Sequence, residues 1–326
     1  FVFEGGLESP EETYALDKDT EYSDIIISLK GQAVCRWSEG GGEYRRFYYG
    51  TETLFNLEKS VIEKDLKYST MVPKGDYTAP FEFKLPDKIP SSYKHDVILH
   101  SATNRIKYYV RIKFIPLGSF VRIKKFKKRI TVNNNHIDPS LPKEQMIYGL
   151  HKQPTQFFKK SNNTIKLKAT VSKSCLKPGD KVEIIYEIEN NSDISINRIT
   201  TNLVECVTSI ANNGKKNKYR TKIKESKSAI ETIEKGDINT CGVVVPTLAT
   251  MYTIQNCKVI TRSYWIHVTM KFSVLHSNEY LKIPLEIGYT YDDAIATEYE
   301  NEEEMPLEPP GYWEIMDEDK TDLKDE

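Results

Sequence analysis

No window of this 326-residue chain approaches the roughly 18 apolar residues that a membrane-spanning helix needs. The first residues also lack the basic region and apolar run of a secretion signal. The chain starts at Phe1 without a methionine and reads as part of a longer intracellular protein. Cysteine is sparse: Cys35, Cys175, Cys206, Cys241 and Cys257 lie far apart, with no Cys-x-x-Cys pair and no histidine at ligand spacing. That pattern argues against a disulfide framework and a zinc module, and an odd count reads as reduced thiols in the cytosol. The Asn-x-Ser/Thr matches at Asn162 and Asn190 are then expected to stay unglycosylated.

Catalytic signatures are missing as well. There is no Gly-x-Ser-x-Gly elbow, no His-Glu-x-x-His, no phosphate-cradling loop and no dinucleotide fingerprint. The glycine run Gly40 to Gly42 has no helix after it to aim amides at a phosphate, and reads as a hairpin loop. Six scattered histidines, among them His267 on the polar face of a strand pattern, form no ligand set. Nothing nominates a catalytic residue, a metal or a cofactor, and the chain is expected not to be an enzyme.

An apolar stripe at helical spacing is also lacking, and strict alternation stands in its place. In IKYYVRIKF, Ile106, Tyr108, Val110, Ile112 and Phe114 share one face and Lys107, Tyr109, Arg111 and Lys113 the other. KVEIIYEIE repeats this with Val182, Ile184, Tyr186 and Ile188, and SYWIHVTMKFSV with Tyr264, Ile266, Val268, Met270, Phe272 and Val274. Turn formers such as KPGD at Lys177 and ANNGKKN at Ala211 interrupt these runs at hairpin distances. The pattern predicts an all-β chain of two tandem immunoglobulin-like sandwiches. The first is expected over residues 1–130, a linker over 131–143 and the second over 144–291. Phe1 to Asp24 shows no clear first-strand pattern.

Charge is divided unevenly. Residues 292–326 hold 15 Asp and Glu against Lys320 and Lys324, a net of −13, so a chain of net −1 has a body of +12. The acidic segment has too little apolar content to offset ordering entropy and is expected to be disordered. No acid occurs between Val97 and Ile137, a stretch that includes VRIKKFKKRI. Arg122, Lys124, Lys125, Lys127, Lys128 and Arg129 are therefore candidates for an anionic surface, as against a sheet edge kept unpaired by lysines. A membrane surface is preferred to nucleic acid, because the aromatics are spaced as core residues and make no stacking platform.

Particular residues carry a family resemblance. APFEFKLPDKIPSSYK, Ala79 to Lys94, resembles the arrestin N-domain signature, and GQAVCRW, Gly31 to Trp37, the strand before it. KPGDKVEIIYEIENNS resembles the opening of the arrestin C-domain, and NCKVITRSYWIHVTM with LKIPLEIGYT its closing strands. Among the branches, the chain is most similar to the α-arrestins, or arrestin domain-containing proteins, which carry Pro-Pro-x-Tyr motifs after the C-domain. Pro309, Pro310, Gly311 and Tyr312 form one such motif. The resemblance implies a trafficking adaptor that joins membrane receptors or transporters to a WW-domain HECT-type ubiquitin ligase for ubiquitination and endocytic sorting. It also implies a cytoplasmic protein recruited to the plasma membrane and endosomes. Two other arrestin-fold roles stay open: a thioredoxin-binding, redox-linked protein using Cys241, and a retromer-type scaffold.

Proline fixes φ near −65°, so Pro309-Pro310 biases the segment toward a polyproline II helix of three residues per turn. Tyr312 then falls on the same side as Pro309. That surface matches the aromatic groove of a WW domain and loses little entropy on docking.

Overall fold

The computed structural model describes residues 2–4, 13–16, 18–60, 70–78, 82–97, 102–117, 123–152, 164–272 and 276–290. Within these the chain is built from β-strands in two sandwiches. The first half contributes β1 (Val2–Glu4), β2 (Thr13–Leu16), β3 (Thr20–Glu39), β4 (Arg46–Ser60), β5 (Thr70–Val72), β6 (Gly75–Thr78), β7 (Glu82–Lys84), β8 (Tyr93–Val97), β9 (Ala102–Pro116) and β10 (Lys124–Ile130). The second contributes β11 (Met146–Lys152), β12 (Thr164–Val171), β13 (Cys175–Leu176), β14 (Lys181–Asn191), β15 (Ile196–Ile210), β16 (Lys216–Lys222), β17 (Ser228–Ile230), β18 (Ile238–Pro246), β19 (Ile260–Phe272) and β20 (Glu279–Ile287).

The first sandwich is dominated by a sheet of order β10-β9-β3-β4, with β5 added to β3 and β8 to β9, and by the two-stranded pairs β1-β7 and β2-β6. Strand formation begins earlier than the sequence pattern shows: β1, β2 and the start of β3 all precede Asp24. Alternation then places Ile25, Ile27, Leu29, Ala33, Cys35 and Trp37 of β3 inside, against Ile106, Tyr108, Val110, Ile112 and Phe114 of β9. The loop at Gly40 to Gly42 does join β3 to β4. It contains a short 3-10 turn over Gly42–Tyr44, entered and made through positive φ at Gly40 (82°) and Gly42 (56°), which glycine adopts without steric cost.

The second sandwich pairs the sheet β11-β12-β14-β18 with the sheet β13-β20-β19-β15-β16, to which β17 adds at β15. Val182, Ile184, Tyr186 and Ile188 of β14 pack against Ile199, Leu203, Tyr264, Ile266, Val268 and Met270 from the opposite sheet. The Lys177–Asp180 turn closes with a 3.1 Å backbone bond into β14. Asn190 is fully buried, and its side chain donates to the carbonyls of Ile194 and Glu234, each at 2.9 Å. It is a structural tie, inaccessible to a glycan.

The two sandwiches are joined by packing as well as by chain. Val207, Ala211, Ile254, Cys257, Val259 and Ile260, all from the second half, complete the hydrophobic core of the first. Backbone approaches backbone at Gly50, where an added Cβ would lie 2.2 Å from the Ile210 carbonyl oxygen. Around it, Asn212 donates its amide to Tyr49 O and accepts from Thr51 N–H, each at 3.0 Å, and the Lys258 amide donates to the Glu52 carboxylate at 2.6 Å. Buried Ser209 donates to Asn104 Oδ1 at 2.7 Å.

Residues 131–143 hold no regular strand, yet they are tied to both sandwiches. Ser92 N–H donates to Val132 O and Asn134 N–H to Ser91 Oγ. Further on, Ile137 N–H donates to Tyr289 O, and Ser140 and Leu141 give their amides to the Glu286 carboxylate.

Candidate functional site

Strand β10 carries most of the basic run, and its pairing with β9 shows what the run does. Lys125 stands opposite Lys113, Lys127 opposite Arg111 and Arg129 opposite Tyr109. Side chains of a strand alternate between faces, so Lys125, Lys127 and Arg129 join Lys107, Arg111 and Lys113 on the outward face. All three β10 residues are exposed. Lys124, Phe126, Lys128 and Ile130 point the other way and are half-buried, and Phe126 meets Phe114 edge-on at 5.9 Å between centroids. The run therefore divides between two faces, so its cations do not form one continuous patch. Arg122 and the preceding Val121 lie outside the described residues.

The outward face is wider than β10. A groove of about 520 Å³ is lined by Arg36, Arg105, Lys107, Tyr109 and Lys127 among others. The Lys127 ammonium sits 3.6 Å from the centre of the Tyr109 ring, a cation–π contact that lays the stem across the sheet. Partial burial, followed by the repulsion of Arg129, Arg105 and Lys127, lowers the Lys107 pKa. Acids reach only the margins: Glu58 lies 3.7 Å from Arg111 and 3.6 Å from Lys113, and Asp96 ion-pairs with Arg105. The centre of the face is an uncompensated positive field, suited to anions. Arg36 and Arg105 were not legible as members of it, because only strand pairing brings β3 and the start of β9 beside β10. Among the described residues no group of three or more His, Cys, Asp or Glu side chains is placed to hold a metal ion.

Cys241 lies on β18 opposite Tyr186 of β14 and is half-buried. Burial alone moves its thiol pKa upward, which disfavours the reactive thiolate. Pro309, Pro310, Gly311 and Tyr312, and with them the whole acidic segment 292–326 expected to be disordered, lie outside the described residues.

The junction between the sandwiches holds a second cluster. Arg262 of β19 and Glu205 of β15 form a 2.6 Å ion pair, with side chains only 13% and 14% exposed. The guanidinium is enclosed by three rings, Tyr252 at 4.9 Å, Tyr264 at 5.4 Å and Tyr93 of the first sandwich at 5.5 Å. Tyr252 reaches across to donate its hydroxyl to Ser92 O at 3.2 Å. His95 stands at the same junction, 6.1 Å from the Tyr219 ring. Burial lowers its pKa, with Glu205 and Asp96 opposing and Arg262 and Arg105 reinforcing the shift.

This cluster gives a physical reason for part of the segment Ala79 to Lys94. Pro90 offers its carbonyl to the buried Tyr108 hydroxyl, Ser91 and Ser92 tie down residues 131–143, and Tyr93 roofs Arg262.

Comparison with known proteins agrees with this architecture. Residues 14–138 match the Arrestin (or S-antigen), N-terminal domain, and residues 161–290 match the Arrestin (or S-antigen), C-terminal domain. Arrestin domain-containing protein 17 of Caenorhabditis elegans is 20% identical over 267 residues, covering 76% of this chain and 59% of its own length. The chain thus spans a little over half of that relative. With both domains matched in order across most of its length, the chain belongs to the arrestin family, in the manner of the arrestin domain-containing proteins.

Proposed function

We propose that this protein is a non-enzymatic trafficking adaptor that links membrane cargo to a WW-domain HECT-type ubiquitin ligase. Membership of the arrestin family supports the adaptor role in general terms. The observation that carries the finer reading is the position of Pro309-Pro310-Gly311-Tyr312, about twenty residues beyond the last strand of the C-domain. The Pro-Pro-x-Tyr sequence has the spacing a WW groove accepts. One such contact is weak; joining ligase and cargo through one chain raises the effective concentration of each for the other.

The basic outward face of the N-domain supports a peripheral contact with an anionic membrane. Leu117 and Ile123, where β9 ends and β10 is about to begin, are 54% and 48% exposed and would place apolar side chains beside the cations. No helix among the described residues is long and apolar enough to cross a membrane. Recruitment to the plasma membrane and endosomes would then rest on this face together with cargo.

Isothermal titration calorimetry of the chain against a panel of ligase WW domains tests the central step. At least one domain is expected to bind, and Tyr312→Ala to abolish that heat. A panel without any Tyr312-dependent binding removes the ligase half of the reading and leaves the adaptor without its effector.

A further inference from the structure

Strand β18 is an open sheet edge that carries no charge. It ends the sheet β11-β12-β14-β18, and among the described residues no strand pairs with its far side. Its residues, INTCGVVVP, include no Asp, Glu, Lys or Arg. Other long edge strands are guarded, β10 and β16 by runs of lysine and β4 by Glu58 and Lys59. Such charges are how an edge avoids pairing with another chain. The hydrogen bonds at either end of β18 fix which of its backbone groups face the open side. Asn190 N–H donates to Asp237 O and Thr247 N–H to Asp180 O, each at 2.9 Å, and the register between them is unshifted. Odd positions therefore bond to β14, while Ile238, Thr240, Gly242 and Val244 turn their amides and carbonyls outward. Pro246, with no amide to offer, falls in the outward series, and its carbonyl accepts from Ser226 Oγ. On the solvent face Ile238 is 75% and Val244 53% exposed, and a Cβ added at Gly242 would meet nothing within 4 Å.

We propose that this edge joins a second copy of the chain, strand to strand and antiparallel, about a two-fold axis at Cys241. That register sets Ile238 opposite the second copy's Val244 and Thr240 opposite its Gly242, and the same again by symmetry, so every outward amide and carbonyl from Ile238 to Val244 finds a partner. Pro246 lies outside the pairing. Two observations favour a second copy over a foreign strand. The first is self-complementarity: the two exposed apolar side chains of the edge meet each other, beside Ile185, which stands opposite Gly242 and is 47% exposed. The second is charge. Glu187 and Glu189 of β14 are already paired with Lys168 and Lys166 at 2.7 and 2.9 Å, so the flanks bring little like charge together. A strand pair of this length spans roughly 24 Å and buries less than the roughly 1,200 Å² of a stable complex, so dissociation is expected on the order of 10 μM. The dimer would carry two copies of the Pro309 to Tyr312 sequence and so bind a multivalent partner with greater avidity. Its formation does not depend on what reads that sequence.

Sedimentation equilibrium of the full chain between about 1 and 200 μM tests this, and a concentration-dependent dimer is expected. Thr240→Pro removes an outward amide from the middle of the pairing and leaves the bonds to β14 in place. It should weaken association about tenfold or more with the melting temperature unchanged. The unaltered protein supplies a second reading that does not rest on a variant. In the two-fold register Cys241 stands opposite the second copy's Cys241 in a non-hydrogen-bonded pair, about 4.5 Å between Cα atoms, which is within disulfide reach. Copper–phenanthroline, with oxygen taking the two electrons and two protons of the thiol pair, should link the dimer through Cys241, as mapped by mass spectrometry. A monomer at every concentration overturns the proposal and leaves the edge to an extended peptide of another protein. Association untouched by T240P, or a bridge through another cysteine, overturns it as well. No WW domain or vesicle enters the experiment, so failure here leaves the ligase and membrane readings untouched.

Discussion

At Gly50 the two sandwiches touch through bare backbone, and any side chain would strike the Ile210 carbonyl. Gly50→Ala is expected to push the domains apart and to cost about 1–3 kcal/mol, as overpacking does elsewhere, read as a lower midpoint in urea unfolding. Arg262 presents the opposite case, a charge retained because its surroundings are complete. Replacing it with Met keeps the volume between the rings but leaves Glu205 buried without its partner. A loss of about 3–5 kcal/mol is expected, whereas the double replacement R262M/E205L should recover much of it. If the single change is neutral by the same denaturation measurement, the pair does not hold the junction.

At the scale of the element, the alternation of a strand decides which charges can act together. Lys125, Lys127 and Arg129 share a face, so K125E/K127E/R129E should lose most binding to phosphatidylserine vesicles in a flotation assay, at about 1 kcal/mol per cation. Lys124→Ala with Lys128→Ala, on the other face, should weaken binding much less. Equal losses from both sets would mean that the run acts as a flexible charge cloud. The same alternation explains what the sequence shows and what it hides. Half-buried strands such as β9 and β14 are plain in it, because one face meets water and the other a core. β15 is not, since both of its faces are covered: Thr200, Thr201, Asn202 and Ser209 are polar yet buried. Likewise the basic run was visible because its lysines are neighbours in sequence. Arg36 and Arg105 of the same face were hidden because they come from β3 and the start of β9.

For the whole molecule, acidity should loosen the junction. Burial holds His95 below its usual pKa, so the folded state takes up its proton less readily than the unfolded chain. Its contribution is then fully present above the unfolded value near 6.5 and is lost as pH falls through the lower folded value. His267 shifts the same way, through burial and Lys222. The melting temperature should therefore drop between pH 7 and pH 5, and His95→Gln should flatten part of that decline. A wild-type slope that survives the replacement unchanged assigns the pH dependence elsewhere.

The shared core sets a schedule for synthesis. Ile254, Cys257, Val259 and Ile260 close the first sandwich, although its own strands are finished by Ile130. At about 5–20 residues per second, a ribosome takes roughly 6–26 s to travel between those points. Throughout that interval the first sandwich has its described strands but stays open on one flank, with an apolar surface turned to solvent. A product ended at residue 143 should therefore precipitate where the full chain stays in solution, and supplying the second half later should rescue it poorly. The order in which this protein is made and the order in which it can be finished are not the same.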